Sequence, residues 1–285
     1  MESEKRFYKK VKPFLESKDH VVSGESFELM YHPEFDLLVT SPVPTDLYTY
    51  YKSPDYISHT DSHKTIFDKV YQEVKKYTLK KKLSLINSFQ TPTKTILDIG
   101  AGTGDFLKIC KENEWTVSGV EPNLGARNIA QEKEVFLTEN LPTTLEKKFD
   151  VITMWHVLEH VSDLTAYIKT AKSLLKQKGK IVVAVPNFKS YDAKYYNKYW
   201  AAYDLPRHLW HFSQTSIEKL FFEVEMEVVK TVPMKFDAFY VSLLSEKYKS
   251  GKMNPIKSFI IGARSNLKAR KTTEYSSLIY IIKNK

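Results

Sequence analysis

Three glycines at alternate positions, Gly100, Gly102 and Gly104, form the first group of residues whose spacing suits the binding of a ligand. They follow a short apolar run that contains Asp98, and a helical pattern begins directly after them. Glycine lets the backbone bend sharply and lets a ligand approach it closely. The pattern therefore predicts a strand, a tight turn and a helix N-terminus that hold a ligand. The alternative is an incidental turn with glycines.

Histidines supply the second group, because imidazole is the natural base near neutral pH. His208 and His211 lie three positions apart, directly after Arg207. We predict that one of the two histidines takes a proton from the substrate. The planar guanidinium of Arg207 would orient an anionic or carbonyl-bearing substrate. The alternative interpretation is that both histidines only pack and form hydrogen bonds beside Trp210.

The residues in and beyond the glycine run distinguish a dinucleotide from other ligands that contain ribose. A dinucleotide fingerprint, GxGxxG, would need glycine where this chain has Asp105, which disfavours a nicotinamide oxidoreductase. Glu121 lies about 20 residues beyond the glycines, at the tip of the next predicted strand. A carboxylate in this position is placed to accept hydrogen bonds from ribose hydroxyls.

Alternating strands and helices must position these groups. Apolar runs predict strands at residues 95–99, 115–120, 134–137, 149–154 and 179–185. Their short connections predict βαβ units, and hence a mostly parallel sheet covered by helices on both faces. A long helix is predicted at 62–89, with its lysines on a solvated face, and two later strands at 226–232 and 277–282. Ligands of such sheets bind at the carboxyl ends of the strands, where Trp155 and His156 lie.

Three segments carry a family resemblance. Asp98 and the GxGxG run resemble motif I of the class I S-adenosylmethionine (SAM) methyltransferases. Residues 155–161, WHVLEHV, resemble the LEHV segment of the quinone-biosynthesis and related small-molecule methyltransferases. Residues 204–213, DLPRHLWHFS, resemble the PRHLxHFS segment found after the fifth strand in many small-molecule methyltransferases. The resemblance extends over residues 61–222 of the chain.

The resemblance implies a fold and a cofactor. The fold is α/β, with a Rossmann-like, seven-stranded, mostly parallel sheet, helices on both faces, and a last strand inserted antiparallel beside the sixth. The cofactor is SAM, with Glu121 at the ribose and residues 139–141 near the adenine. The expected cofactor residues are Asp98, Gly100, Ala101, Gly102, Gly104, Glu121, Pro122, Glu139, Asn140, Trp155 and His156.

No metal is expected from the sequence. The adjacent pair Glu159 and His160 could hold a divalent ion, as in some quinone O-methyltransferases. One such pair offers too few ligands to predict a site.

Two units are predicted along the chain: an N-terminal appendage at residues 1–61 and a methyltransferase domain at residues 62–285. The appendage has two short β-like segments and ends in a cluster of tyrosines: Tyr48, Tyr50, Tyr51 and Tyr56. Two interpretations carry equal weight. The appendage covers a sheet edge, or it forms a lid or wall over the acceptor pocket, since tyrosine combines apolar area with a polar tip.

Composition and charge limit the classes of protein to which this chain can belong. The 285 residues carry a net charge of +9, and the one cysteine, Cys110, excludes an intramolecular disulfide. No signal peptide is visible and no apolar run approaches the roughly 20 residues that span a bilayer, so a soluble cytoplasmic protein without a membrane partner is expected. Residues 247–271 hold eight Lys or Arg and no Asp or Glu, the strongest local charge bias in the chain.

The expected activity is SAM-dependent methyl transfer to a small-molecule acceptor, on oxygen. A nucleic-acid methyltransferase that uses the basic stretch 247–271 is the main alternative. Against it, Pro186-Asn187-Phe188 does not match the NPPY-type motif of amino-methylating enzymes. A non-catalytic binding module with the same fold is a further alternative. The acceptor and the oligomeric state are left open.

Overall fold

The computed structural model describes residues 4–51, 66–141 and 148–285. The boundary predicted at residue 61, the helix start predicted near residue 62 and Tyr56 lie outside these ranges. The described residues form two sheets, a central one and a smaller one built around the N-terminal segment.

The central sheet is formed by β4 (Thr95–Ile99), β5 (Thr116–Val120), β6 (Phe149–Trp155), β7 (Leu175–Pro186), β9 (Met226–Pro233) and β10 (Ser277–Asn284). The strands lie in the order β5-β4-β6-β7-β10-β9. The first four strands are parallel, and β10 lies antiparallel between β7 and β9. The Rossmann-like, mostly parallel sheet is confirmed, and so is the antiparallel insertion of the last strand.

The prediction of seven strands is wrong for the described residues, which place six in this sheet. Residues 134–137 form no strand, and only a single bridge joins neighbouring Thr138 to Val120 of β5. Glu134 has a left-handed backbone conformation, and Phe136 is 76% exposed. An edge strand needs an extended backbone and one buried face, and this short segment has neither over its length.

Eight α-helices lie in the described residues, and the sheet is covered on both faces. They are α1 (Ile66–Asn87), α2 (Asp105–Lys111), α3 (Leu124–Glu132), α4 (Leu164–Ser173), α5 (Tyr191–Tyr196), α6 (Gln214–Phe222), α7 (Asp237–Ser250) and α8 (Pro255–Thr272). Successive residues of β7 point to opposite sides: Ile181 and Val183 join one apolar cluster, and Val182 and Ala184 join the other. Both faces are therefore buried, as a parallel sheet requires.

The second sheet joins the N-terminal segment to a distant part of the chain. Its strands are β1 (Lys12–Lys18), β2 (Ser26–His32), β3 (Leu37–Ser41) and the two-residue β8 (Trp210–His211), all antiparallel. The sequence predicts two strands before residue 61, and the structure has three. Because β8 comes from the connection after β7, the appendage shares a sheet with the predicted acceptor segment, residues 204–213, which holds Arg207 and the two predicted bases.

The connection between β7 and β8 is long but firmly held. Its central anchor is the buried carboxylate of Asp192. Asp192 accepts hydrogen bonds from Trp200 Nε1 at 2.8 Å, from Ser265 Oγ at 2.6 Å and from Ser276 Oγ at 2.6 Å. These donors belong to the connection itself, to α8 and to the residue before β10. The predicted acceptor segment is thereby fixed to the sheet.

Candidate active site

The glycine turn between β4 and α2 is shaped for close approach. Gly100, Gly102 and Gly104 all have positive φ values, of 72°, 53° and 76°. A Cβ at Gly100 would overlap Val157, and one at Gly104 would lie 2.9 Å from Ala130 Cβ. At Gly102 a Cβ would meet no atom within 4 Å. The middle of the turn therefore faces open space, which leaves room for a ligand against the backbone.

Glu121, just after β5, reaches across to this turn. Its Oε2 accepts a hydrogen bond from the Gly102 N–H at 2.9 Å, and its Oε1 accepts one from the Asn123 N–H at 2.9 Å. Each carboxylate oxygen keeps a second lone-pair direction. The position predicted to bind ribose thus lies directly beside the open part of the turn.

The predicted adenine segment lies at the same edge. A backbone hydrogen bond from the Glu121 N–H to the Thr138 carbonyl, 2.9 Å long, fixes it beside β5. Arg127 pairs with Glu139 at 3.1 Å and also donates to the carbonyls of Glu121 and Pro122 at 2.7 Å. Glu139 and Asn140 are both exposed. The structure brings these residues together, and their contact with adenine stays a prediction.

Asp98 lies in β4, just before the turn, and its carboxyl group has a raised pKa. Its side chain is buried and accepts a hydrogen bond from Thr153 Oγ1 at 2.5 Å. Burial raises the pKa of Asp98 to about 7, although the Thr153 hydrogen bond and the charge of Lys82 act in the opposite direction. Asp98 is therefore held by the neighbouring strand β6, two residues before the glycine turn.

Lys82 is the site residue that sequence reasoning missed. Its place among the lysines of the long helix predicts a solvated side chain, but its ammonium lies 4.2 Å over the ring of Trp155. Burial lowers the pKa of Lys82, against the influence of Asp98 and Asp237. A signal was present, because Leu79, Lys82 and Ile86 follow the i, i+3, i+7 spacing of the buried helix face.

His156, directly after β6, bridges two carboxylates. Its Nδ1 lies 3.2 Å from Glu159 Oε1, and its Nε2 lies 3.3 Å from Asp237 Oδ2 at the start of α7. Burial alone would lower the pKa of His156, but the hydrogen bonds to Asp237 and Glu159 outweigh it and raise the pKa to about 10. At neutral pH this side chain is a fixed cation at the edge of the site.

The titration of His156 gives a stability prediction. Its pKa is about 10 when folded and about 6.5 when unfolded, so its contribution is fully present below the unfolded value and is lost as pH rises towards 10. In urea unfolding, the difference in free energy between wild type and His156→Gln should shrink from pH 6.5 to pH 10. His20→Gln is the control, because the pKa of His20 is lowered and its difference should stay constant above pH 7. A constant difference for His156→Gln would contradict the bridge.

Arg207 is committed to other protein groups. Its side chain is buried, and its Nε and Nη2 donate to Asp204 at 3.0 and 2.5 Å. Its Nη1 donates to the Tyr50 carbonyl at 3.1 Å and lies 3.5 Å from Asp19. The guanidinium thereby links the N-terminal appendage to the segment after β7. Nothing in this geometry favours the predicted contact with an acceptor, and that role stays a prediction.

The two predicted bases differ in their surroundings. His211 is buried in β8 with its Nε2 3.0 Å from Thr40 Oγ1, and burial holds its pKa well below 6.5. His208 places its Nδ1 2.9 Å from the Ala202 carbonyl, and 8% of the residue is exposed. A carbonyl can only accept, so Nδ1 is the donor of this hydrogen bond, and Nε2 lies 3.9 Å from Asp204 Oδ2. In the Nδ1–H tautomer that this hydrogen bond favours, Nε2 is the nitrogen that carries the lone pair.

Among the described residues, a cluster of Glu159, His160 and His208 has the composition of a metal site. One ligand atom from each lies within 4.8 Å of the others. Glu159 is fully buried, and its Oε2 has no hydrogen-bond partner. Burial and the neighbouring His208 lower the pKa of His160 to about 4, so its imidazole is neutral. These three groups could hold a divalent ion, with His208 supplying the third ligand that the sequence did not reveal.

The predicted site residues lie side by side along one edge of the central sheet. The predicted adenine segment, Glu121, the glycine turn and His156 follow the carboxyl ends of β5, β4 and β6 in that order. Residues 204–213, the predicted acceptor segment, come next, because the Leu209 N–H donates to the Glu159 carbonyl at 2.8 Å. This is the position in which open α/β sheets bind ligands. The open space at Gly102 and the carboxylate of Glu121 suit the amino-acid and ribose parts of SAM.

Comparison with known proteins identifies the family of this chain. The family described as "Methyltransferase domain" matches residues 71–231, more than half of the chain. A ubiquinone biosynthesis O-methyltransferase of Rhodopseudomonas palustris (strain BisA53) is 30% identical over 100 residues, which is 32% of this chain and 40% of that protein. One from Actinobacillus pleuropneumoniae is 33% identical over 109 residues, 33% of this chain and 46% of that protein. The match covers less than half the length of each relative.

Solved structures are similar in fold. Magnesium protoporphyrin IX methyltransferase from Synechocystis PCC 6803 with bound S-adenosylhomocysteine (SAH) has a TM-score of 0.54 and 14% identity, and covers 80% of this chain and 91% of that one. A structure described as StiE O-MT residues 961–1257 has a TM-score of 0.51 and 14% identity, with 78% of both chains covered. The family match and the fold lead to one conclusion: this chain belongs to the methyltransferase-domain family and has the class I SAM-dependent methyltransferase fold.

Proposed function

We propose that the enzyme transfers the methyl group of SAM to a hydroxyl oxygen of a small molecule. The observation that carries the proposal is the hydrogen bond from His208 Nδ1 to the Ala202 carbonyl, which leaves Nε2 as the ring nitrogen that can accept a proton. A hydroxyl must lose its proton as the methyl group arrives, and a neutral imidazole can take it. The names of the curated relatives support oxygen as the methylated atom.

The reaction divides between cofactor and protein. Bound SAM supplies an electrophilic methyl group on a sulfonium, so the protein needs no redox chemistry. With SAM bound, the acceptor oxygen would take the methyl carbon as the carbon–sulfur bond breaks, which would leave SAH. His208 Nε2 receives the hydroxyl proton, and the protein holds the two reactants in line.

We assign protein residues to each part of the cofactor. Glu121 accepts from the ribose hydroxyls, and Glu139 and Asn140 lie where the adenine would pack. The Gly102 region receives the amino-acid end. Lys82 supplies a cation near Asp98, and we propose that its ammonium pairs with the carboxylate of the methionine part.

A direct test of Lys82 uses two ligands. Lys82→Met should weaken SAH binding by roughly 10- to 100-fold, because a charge-assisted hydrogen bond is lost. Binding of methylthioadenosine, which has no carboxylate, should be unchanged. Isothermal titration calorimetry measures both. Lys80→Met, an exposed lysine of the same helix, is the matched control, and an equal loss for both ligands would overturn the assignment.

The N-terminal unit is proposed to form part of the acceptor pocket. The Tyr51 hydroxyl lies 3.0 Å from His160 Nδ1, and the Thr40 hydroxyl donates to the His208 carbonyl at 2.6 Å. Both tyrosine and threonine therefore contact the segments that line the proposed acceptor site. A division of the chain at residue 61 is kept as part of this proposal, although the two units share the sheet that contains β8.

The proposed reaction is tested by comparing acceptors. Purified enzyme with labelled SAM is offered matched sets of small phenols, amines and thiols, and separately an RNA pool. We expect label on the phenols alone. Label on the amines or thiols alone would contradict oxygen as the methylated atom, and label on RNA alone would favour the nucleic-acid alternative.

A further inference from the structure

Helix α8 shows an apolar stripe on its outer surface. Its inner face is made of small and apolar residues that are buried: Ser258, Ile261, Gly262, Ser265 and Ala269. Its outer face exposes large apolar side chains, with Ile256 at 76%, Phe259 at 64%, Ile260 at 49% and Leu267 at 58%. A solvent-facing helix surface is normally polar, so this stripe requires an explanation.

The spacing of the stripe places it at the outermost line of the helix. Ile256, Ile260 and Leu267, with Ala263 between the last two, follow steps of four, three and four residues. At 3.6 residues per turn these positions lie on one line along the helix. That line is opposite the buried face, so the apolar side chains point directly away from the protein body.

Basic residues flank the stripe. On the helical wheel Arg264 and Lys271 lie on one side of the line and Arg270 lies on the other, and all three are exposed. The whole segment 247–271 has eight Lys or Arg and no acidic residue. An outermost apolar line with cations on both sides matches the boundary between lipid headgroups and acyl chains.

The apolar surface continues towards the active site. Phe259 stacks on Phe239 of α7, with the ring centroids 5.3 Å apart. Phe236, just before α7, and Tyr240 are also partly exposed. Asp237, between them, contacts His156 at the cofactor edge. The stripe is thus connected through the start of α7 to the edge of the sheet that holds His156.

We propose that the outer face of α8 docks this enzyme on an anionic lipid surface. Within the described residues no helix is long and apolar enough to cross a membrane, so α8 would lie in the interface with its stripe inserted. Nucleic acid offers no partner for Ile256 and Leu267. A symmetric contact between two copies would bring like charges together, which is unfavourable. This proposal does not depend on the acceptor or on the methylated atom.

Vesicle co-sedimentation of the full-length enzyme tests the docking. We expect binding to vesicles of equal parts phosphatidylcholine and phosphatidylglycerol at low salt, and little binding to phosphatidylcholine alone. Ile256→Ser/Ile260→Ser should lower the partition coefficient by about tenfold or more, because two side chains leave the acyl boundary. Arg264→Gln/Lys271→Gln should lower it and reduce its dependence on salt.

Two matched controls separate this face from the rest of the surface. Phe222→Ser on α6 removes a phenyl ring with 65% exposure, and should bind as wild type, whereas Phe259→Ser should not. Lys169→Gln/Lys178→Gln removes two exposed charges elsewhere and tests net charge alone. Circular dichroism confirms folding of each variant.

Three results would overturn the proposal. Equal vesicle binding by wild type and the serine double variant would exclude the stripe. An equal loss of vesicle binding in Arg264→Gln/Lys271→Gln and in Lys169→Gln/Lys178→Gln would show that net charge alone causes the binding. A dimer in sedimentation velocity that the serine variant converts to monomer, without any vesicle binding by wild type, would assign the face to self-association.

Discussion

His208→Gln is expected to lower kcat by about 10²–10⁴-fold at saturating SAM, because a hydroxyl acceptor loses its general base. The second variant His208→Asn places an amide N–H near the position of Nδ1, where it can donate to the Ala202 carbonyl, and it should show the same loss of kcat with the local fold kept. SAH affinity should stay near that of wild type. The measurement is kcat across pH 6–9 with a phenolic acceptor, and a kcat equal to that of wild type throughout would exclude His208 as the base.

His211→Gln is the matched control for this experiment. His211 is three residues away and buried against Thr40. Its replacement should lower the free energy of unfolding and leave kcat within about tenfold of wild type. Equal kcat losses in the two variants would indicate that both histidines maintain the shape of the segment and that neither is the base.

The metal alternative is separated in the same assay. If His208 Nε2 binds an ion together with Glu159 and His160, a chelator should inhibit the wild-type enzyme and an added divalent ion should restore it. If His208 is a base without an ion, the chelator should have no effect. Either result assigns the function of the Nε2 lone pair.

Gly102→Asp is expected to abolish SAH binding in calorimetry. The new carboxylate would occupy the open space beside the turn and repel the carboxylate of the cofactor. It would also lie close to Glu121, whose Oε2 already accepts from the Gly102 N–H. SAH binding as tight as that of wild type would show that the cofactor lies elsewhere.

Gly24→Asp is the matched control for backbone strain. Gly24 has a φ of 74°, and a Cβ there would meet no atom within 4 Å, as at Gly102. Both substitutions therefore cost a similar roughly 1–2 kcal/mol of left-handed strain. SAH binding should survive in Gly24→Asp, which separates occupation of the site from loss of stability.

The sequence alone was sufficient for the features that depend on neighbouring residues. The β4 strand, the glycine turn and the start of α2 lie within one short stretch, so local spacing predicts all three. The same holds for Glu121 at the tip of β5 and His156 at the tip of β6, because parallel strands bring their carboxyl ends to one edge. The resemblance of these segments indicated the family and SAM, and both are confirmed.

Features that depend on distant residues needed the tertiary structure. Residues 134–137 have the composition of a strand, but a strand forms only where a neighbour and a buried face exist. Arg207 has the chemistry of an anion-binding residue, yet Asp204, Asp19 and Tyr50, the last two far away in the chain, occupy its guanidinium. Local pattern carries no information about such partners.

The direction in which a side chain points was the other quantity that the sequence left undetermined. Lys82 and Arg264 are both cations on long helices, but one lies over Trp155 inside the site and the other faces solvent beside the α8 stripe. Residue types and helical periodicity define the faces of a helix. Which face becomes buried is decided only when the helix packs, because burial depends on the surface that the rest of the chain presents to it.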